Sequence, residues 1–150
     1  MSEILQPLVG NLLGLEVLKD VKIGAGVSVE AGKIYVFVAG YLKVPAAANA
    51  ATGKFPVMAC ESVDNSLGAD GAKTVTCQRG FRLFMANDGT NPITQAAVGV
   101  SPGYLSSGTT VSINSADGPP IGQGGAPAVV SFNKQPPEGV YGRPVEVEIK

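Results

Sequence analysis

The sequence predicts an all-β chain, mainly strand with one or two short helices, built as a small barrel or sandwich behind an extended N-terminal arm. Three observations predict it. Short runs of Val, Ile, Tyr, Phe and Thr recur along the chain, and such residues suit a pleated, half-buried surface. Gly 20 and Pro 11 break those runs at short intervals. The end of the chain alternates cleanly, with Val145, Val147 and Ile149 set against Glu146, Glu148 and Lys150.

The arm comes first, as residues 1–20, and residues 21–150 form a single β-rich domain. Leu5, Leu8, Val9 and Leu12 are spaced for one helical face. Pro7, Gly10 and Gly14 oppose a helix, so residues 1–14 read as extended or part-helical. An apolar arm with few charges needs a surface to cover it. That surface is its own domain, a neighbouring subunit or another protein.

From Val21 the texture is that of strands. Val27 and Val29 alternate with Ser28 and Glu30, and Ala31-Gly32 is a turn signal. Ile34–Val38 is a run of strong strand formers, and Ala39-Gly40 turns the chain into a strand over 41–44. Residues 45–52 suit one or two helical turns stopped at Gly53. Strand returns over 55–61, and 64–72 is a polar loop. A hairpin follows, with strands 73–77 and 81–86 joined by Gln78-Arg79-Gly80. Asn91 is placed to cap a short helix over 92–98, with Pro92 at its first position and Gly99 ending it. The strand over 110–114 turns Val111 and Ile113 inward and Thr110, Ser112 and Asn114 outward. A Gly/Pro loop covers 117–125, a core strand 128–132, a Pro-rich link 135–138, and the alternating strand closes the chain. The count is nine or ten strands and two short helices.

Composition narrows the function. A chain of 150 residues buries a core without metal or disulfide staples. Charged residues are 15%, against about 25% in a typical domain, which leaves surface free for protein contact. Lys+Arg 11 against Asp+Glu 12 leaves no basic stripe for nucleic acid or a membrane surface. Residues 4–18 are too short and too interrupted to cross a bilayer, and 1–3 lack the positive start of a signal peptide. The expected product is a soluble protein made in the cytoplasm. Cys60 and Cys77 are expected as buried free thiols, with a bridge between them left open.

Catalysis is not expected. There is no histidine, which removes the commonest general base and metal ligand. No metal site and no cofactor are expected, because two separated cysteines and scattered carboxylates suit zinc poorly. Glu146 and Glu148 stand about 7 Å apart along one strand face, which reads as a solvated face. Gly24-Ala25-Gly26 and Gly122-Gln123-Gly124-Gly125 lack the helix and Lys-Ser/Thr that phosphate loops require, and read as turns. No stretch matches the motifs of a trimeric all-β nucleotide hydrolase.

One segment carries a resemblance. The pieces are Pro92-Ile93-Thr94, Ala97-Val98-Gly99, Gly103-Tyr104-Leu105, Thr110-Val111-Ser112, Ile121-Gly122 and the strand over 129–132, with Phe55-Pro56-Val57 upstream. In this texture, residues 73–132 resemble the lambda-like, trimeric head-decoration (cement) proteins of bacteriophages. The resemblance implies a β-tulip-like fold and trimers at the three-fold and quasi-three-fold sites of an icosahedral shell. It also implies a major capsid protein as partner, a virion location on the capsid exterior, and stabilisation of the expanded head against DNA pressure. The longer apolar start over 1–20 and the tail from 135 depart from the core family. Ile4, Leu5, Leu8, Val9, Leu12 and Leu13 are the expected capsid-binding residues of the arm, with completion of the domain's own core as the competing role. The alternative function is another virion or adhesion module, at a tail or fibre base. A small enzyme or sugar-binding domain is opposed by the absence of His and Trp.

Overall fold

The computed structural model describes residues 7–135 and 144–150, with side chains from residue 14 onward. It is an all-β fold. Eleven strands lie among the described residues: β1 (Pro7–Lys22), β2 (Val27–Val29), β3 (Ile34–Val38), β4 (Tyr41–Lys43), β5 (Lys54–Ala59), β6 (Val63–Asn65), β7 (Thr74–Asn87), β8 (Tyr104–Leu105), β9 (Thr110–Ser112), β10 (Val129–Phe132) and β11 (Val145–Ile149). The main sheet runs β10-β11-β7-β5-β3-β4, with β1 also on β7 and the small β8–β9 pair attached through β9; β2 and β6 pair separately. Its pairings are antiparallel except for β7 with β9. A single bridge, Ile23↔Leu42, links the end of β1 to β4; no continuous ladder closes a barrel among the described residues.

β7 is the spine, and its sequence explains why. Val75 and Cys77 enter one hydrophobic cluster with Val21, Ile23, Tyr35, Val57 and Ala59. Phe81, Leu83 and Met85 enter the other, with Ile34, Val36, Met58, Val145, Val147 and Ile149. The strand changes face at Gly80, where it also passes from β5 to β11 as partner. β3 feeds both clusters, Ile34 and Val36 from one face and Tyr35 from the other. Both faces of the sheet centre are therefore covered, as in a sandwich.

Gly80 corrects a sequence expectation. Gln78-Arg79-Gly80 is not a turn; it lies inside one 14-residue strand. Gly80 has φ +86°, and a Cβ there would stand 2.5 Å from the carbonyl oxygen of Gly14 on β1. The glycine permits close approach of two strands and a change of face, not a reversal. Ala39-Gly40 does turn the chain, as a two-residue loop with φ of 50° and 88°, the signs of a type I′ hairpin.

The expected helices shrink to single 3-10 turns, Ala47–Asn49 and Gln95–Ala97, with a third at Gln123–Gly125. Asn91 does not cap a helix: the 3-10 turn starts at Gln95 with Thr94 at its N-cap position, and the Asn91 side-chain amide donates to Asp117 at 2.9 Å instead. Asn87 holds the backbone of Ile93 from both sides, accepting from its N–H at 2.7 Å and donating to its carbonyl at 3.0 Å. That clamp fixes the buried Ile93, the backbone of Thr94 is still extended, and helical turning begins only after it.

Two strand faces also differ from expectation. Ser112 is fully buried and Ile113 is exposed. β9 ends at Ser112, whose hydroxyl donates to Asp117 at 2.6 Å and accepts from the Asn114 N–H. Glu146 is 2% exposed rather than solvated. β11 is an interior strand between β10 and β7, and Ser131 and Lys134 reach Glu146 at 2.9 and 3.5 Å. Glu148 is held by Arg82 at 2.7 Å and Lys150 at 3.4 Å.

Candidate functional site

The N-terminal arm leads to the first candidate surface. Ile4 and Leu5 lie outside the described residues. Leu8, Val9, Leu12 and Leu13 fall on β1, described there as backbone only. That backbone is extended rather than helical, and it lies antiparallel on β7 with Pro7 opposite Leu83 and Leu12 opposite Phe81. Register shifts between Pro7 and Leu12, Leu12 and Glu16, and Leu18 and Val21 show a poorly matched ladder. Each bulge leaves an extra residue unpaired, so the ladder is interrupted locally while the two strands stay side by side.

From residue 14 on, β1 continues to Lys22 and presents two apolar side chains to solvent. Leu15 is 45% exposed and Val17 is 53% exposed. They stand two residues apart, so they share one face of the strand. Among the described residues no strand pairs with the other edge of β1 along 14–20. An unpaired edge offers a row of N–H and C=O groups to another strand. Leu15 and Val17 were not among the expected contact residues. Their sequence signal is the alternation of Leu15 and Val17 with Glu16, which stands beside the helical spacing of Leu5, Leu8, Val9 and Leu12 upstream.

A second concavity lies across β7. Arg79 is 9% exposed, and its guanidinium sits 3.6 Å from the centre of the Phe55 ring. Phe55 in turn meets Phe37 edge-on at 5.8 Å. Phe55 has φ +58°, a strained value for a bulky residue, and that backbone places the ring against the cation. Burial pulls the Arg79 pKa down, and the field of Glu16, its cross-strand neighbour, opposes that shift. Arg79 lines a cleft of about 370 Å³ walled by Ile121, Gln123, Ala126, Pro127 and Ala128 and flanked by Glu148 and Lys150. Smaller hollows continue it, one past Gln123 to Phe55 and Lys54, the other past Ala128 to Val98. The glycines of 122–125 shape this wall as a 3-10 turn and not as a phosphate loop.

The remaining chemistry is structural. Both thiols are free; Cys77 is buried as expected, but Cys60 is exposed, in the bend that follows β5. Burial is the main cause that pushes Cys77 up to about 12, so the group is an inert thiol. Asn65 locks the 64–72 loop by donating to the carbonyls of Ile23, Gly24 and Ala69. No group of three or more His, Cys, Asp or Glu forms a metal-ligand set among the described residues. Comparison with protein-family models, curated proteins and solved structures finds no match.

Proposed function

We propose that this chain is a structural, non-enzymatic decoration protein that binds the outer surface of an icosahedral phage head. In this reading it docks as trimers at three-fold and quasi-three-fold sites and stabilises the expanded shell. The observation that carries the reading is the open edge of β1 with Leu15 and Val17 exposed along it. An edge strand recruits a partner strand through backbone hydrogen bonds, and apolar side chains beside it add burial. Such a device needs no catalytic side chains and suits a charge-poor chain. The physics of stabilisation is linkage: a ligand that binds the assembled shell and not its parts favours assembly. Three linked edges per trimer add avidity without a large interface on each chain.

The test is Val17→Lys. A lysine on an exposed edge blocks strand addition and leaves the interior untouched. The variant is expected to keep the melting temperature of the wild type and to lose binding to expanded heads. A variant that binds heads as well as the wild type places the contact elsewhere and removes the main support for this reading.

A further inference from the structure

We propose that in the free protein the open edge of β1 is covered by the same edge of a second copy, the two strands pairing antiparallel about a two-fold axis at Val17. Gly14 at φ +85° and Asp20 at φ +56° bound the regular part of this edge, which leaves residues 15–19 between them. The ladder to β7 runs without a register shift over Glu16, Val17 and Leu18, so the strand is straight there. Among the described residues no strand pairs with its other side. No proline blunts it. Leu15 and Val17 are exposed on one face, with Lys19 exposed beside them.

Symmetry and charge select the register. Directly opposed residues of an antiparallel pair share a face of the sheet, so a two-fold axis passes between a residue and its own copy. An axis at Glu16 sets two carboxylates against each other. An axis at Leu18 sets Glu16 against Asp20 of the second copy. An axis at Lys19 opposes two ammonium groups, and one at Leu15 carries Glu16 past the kink at Gly14. An axis at Val17 overlaps all of 15–19. Val17 then meets its own copy, Leu15 meets Lys19, and Glu16 meets Leu18, with no like charges opposed. The methylenes of Lys19 cover Leu15 while its ammonium stays in water. A second copy thus supplies both things the edge lacks, partners for its backbone and cover for Leu15 and Val17. So short a pairing makes a small interface, and the dimer is weak and reversible. The inference rests on the open edge and not on the capsid; where both hold, a second copy and the shell compete for one strand.

The experiment is register-specific cross-linking of the full-length protein in a Cys60→Ser background, which removes the exposed native thiol. Oxidised glutathione is the oxidant. Val17→Cys is expected to form a disulfide-linked dimer roughly tenfold faster, or more, than Leu15→Cys. In the Val17 register the two Leu15 positions stand about 13 Å apart along the strands, beyond the reach of a disulfide. A mixture of Leu15→Cys and Lys19→Cys is expected to form mixed dimers faster than either variant links to itself. Equal rates at 15 and 17, or a faster rate at 15, overturn the proposal. All three positions are exposed, so the substitutions leave the interior untouched. Wild-type binding to expanded heads without register-specific cross-linking removes this inference and leaves the capsid reading; cross-linking without head binding does the reverse.

Discussion

Gly80→Ala tests the junction that organises the molecule. At φ +86° an alanine pays about 1–2 kcal/mol for a left-handed backbone. Its Cβ would also stand 2.5 Å from the Gly14 oxygen, 2.9 Å from the Gly14 carbonyl carbon and 3.2 Å from Leu15 Cα. These are backbone atoms, so no rotamer relieves the clash. Reaching an ordinary contact of 3.4 Å requires β1 to retreat from β7 by almost an ångström. That retreat disturbs the ladder around Glu16↔Arg79 and Leu12↔Phe81 and costs one or two hydrogen bonds of about 1 kcal/mol each. The expected total is about 3 kcal/mol. Gly40→Ala is the matched control, with φ +88° and nothing within 4 Å of the added Cβ. It pays for the backbone conformation alone, about 1–2 kcal/mol. Urea unfolding at unchanged m measures both. Amide exchange over residues 15–18 is expected to quicken in Gly80→Ala and not in Gly40→Ala. Equal costs for the two variants would refute the close approach of β1 and β7.

Further outcomes follow from the same structure. One thiol per chain, that of Cys60, is expected to react with an aromatic disulfide reagent at neutral pH, and Cys77 only on unfolding; two fast thiols would contradict its burial. The Cys77 pKa rises from 9.0 in the unfolded chain to about 12 in the fold, so the unfolded state binds fewer protons between those values. Its contribution is complete below pH 9 and is then lost by about 1.4 kcal/mol per pH unit as pH rises, which alkaline urea titrations would detect. Tyr35, also raised by burial, acts in the same direction. Asp88 accepts from the N–H groups of Thr90 and Asn91 at 3.0 and 2.7 Å, which hold its pKa below the ordinary carboxylate value. Asp88→Ala is expected to cost about 1 kcal/mol at neutral pH, by urea unfolding. The difference should shrink as pH falls through the lowered value, where the wild type loses the same stabilisation.

The strands were legible because their side chains obey period two. Ile34–Val38 matches its expected bounds, and the alternation of Val145, Val147 and Ile149 places all three in the core. What misled was glycine. Gly80 looks like a turn residue in sequence, but its role is set by a strand some 66 positions earlier, at Gly14, which no local pattern can show. The expected helix at 92–98 failed for a similar reason. Its capping residues were suitable, but the Asn87 clamp on Ile93 prevailed over local propensity. Glu146 looked solvated because alternation gives the face of a residue and not what lies above it; β10 supplies Ser131 and Lys134 there. The Arg79 cleft had no sequence signature at all. It is assembled from Phe55, Arg79, the 121–128 loop and the last strand, and only the fold brings them together.

The central claim is that this chain binds the outside of an assembled phage head. Analytical ultracentrifugation of the pure protein, alone and mixed with emptied, expanded phage heads, tests it most directly. The account predicts co-sedimentation that saturates at a fixed ratio of chains to shell subunits. A chain that stays in the supernatant at every ratio would contradict it.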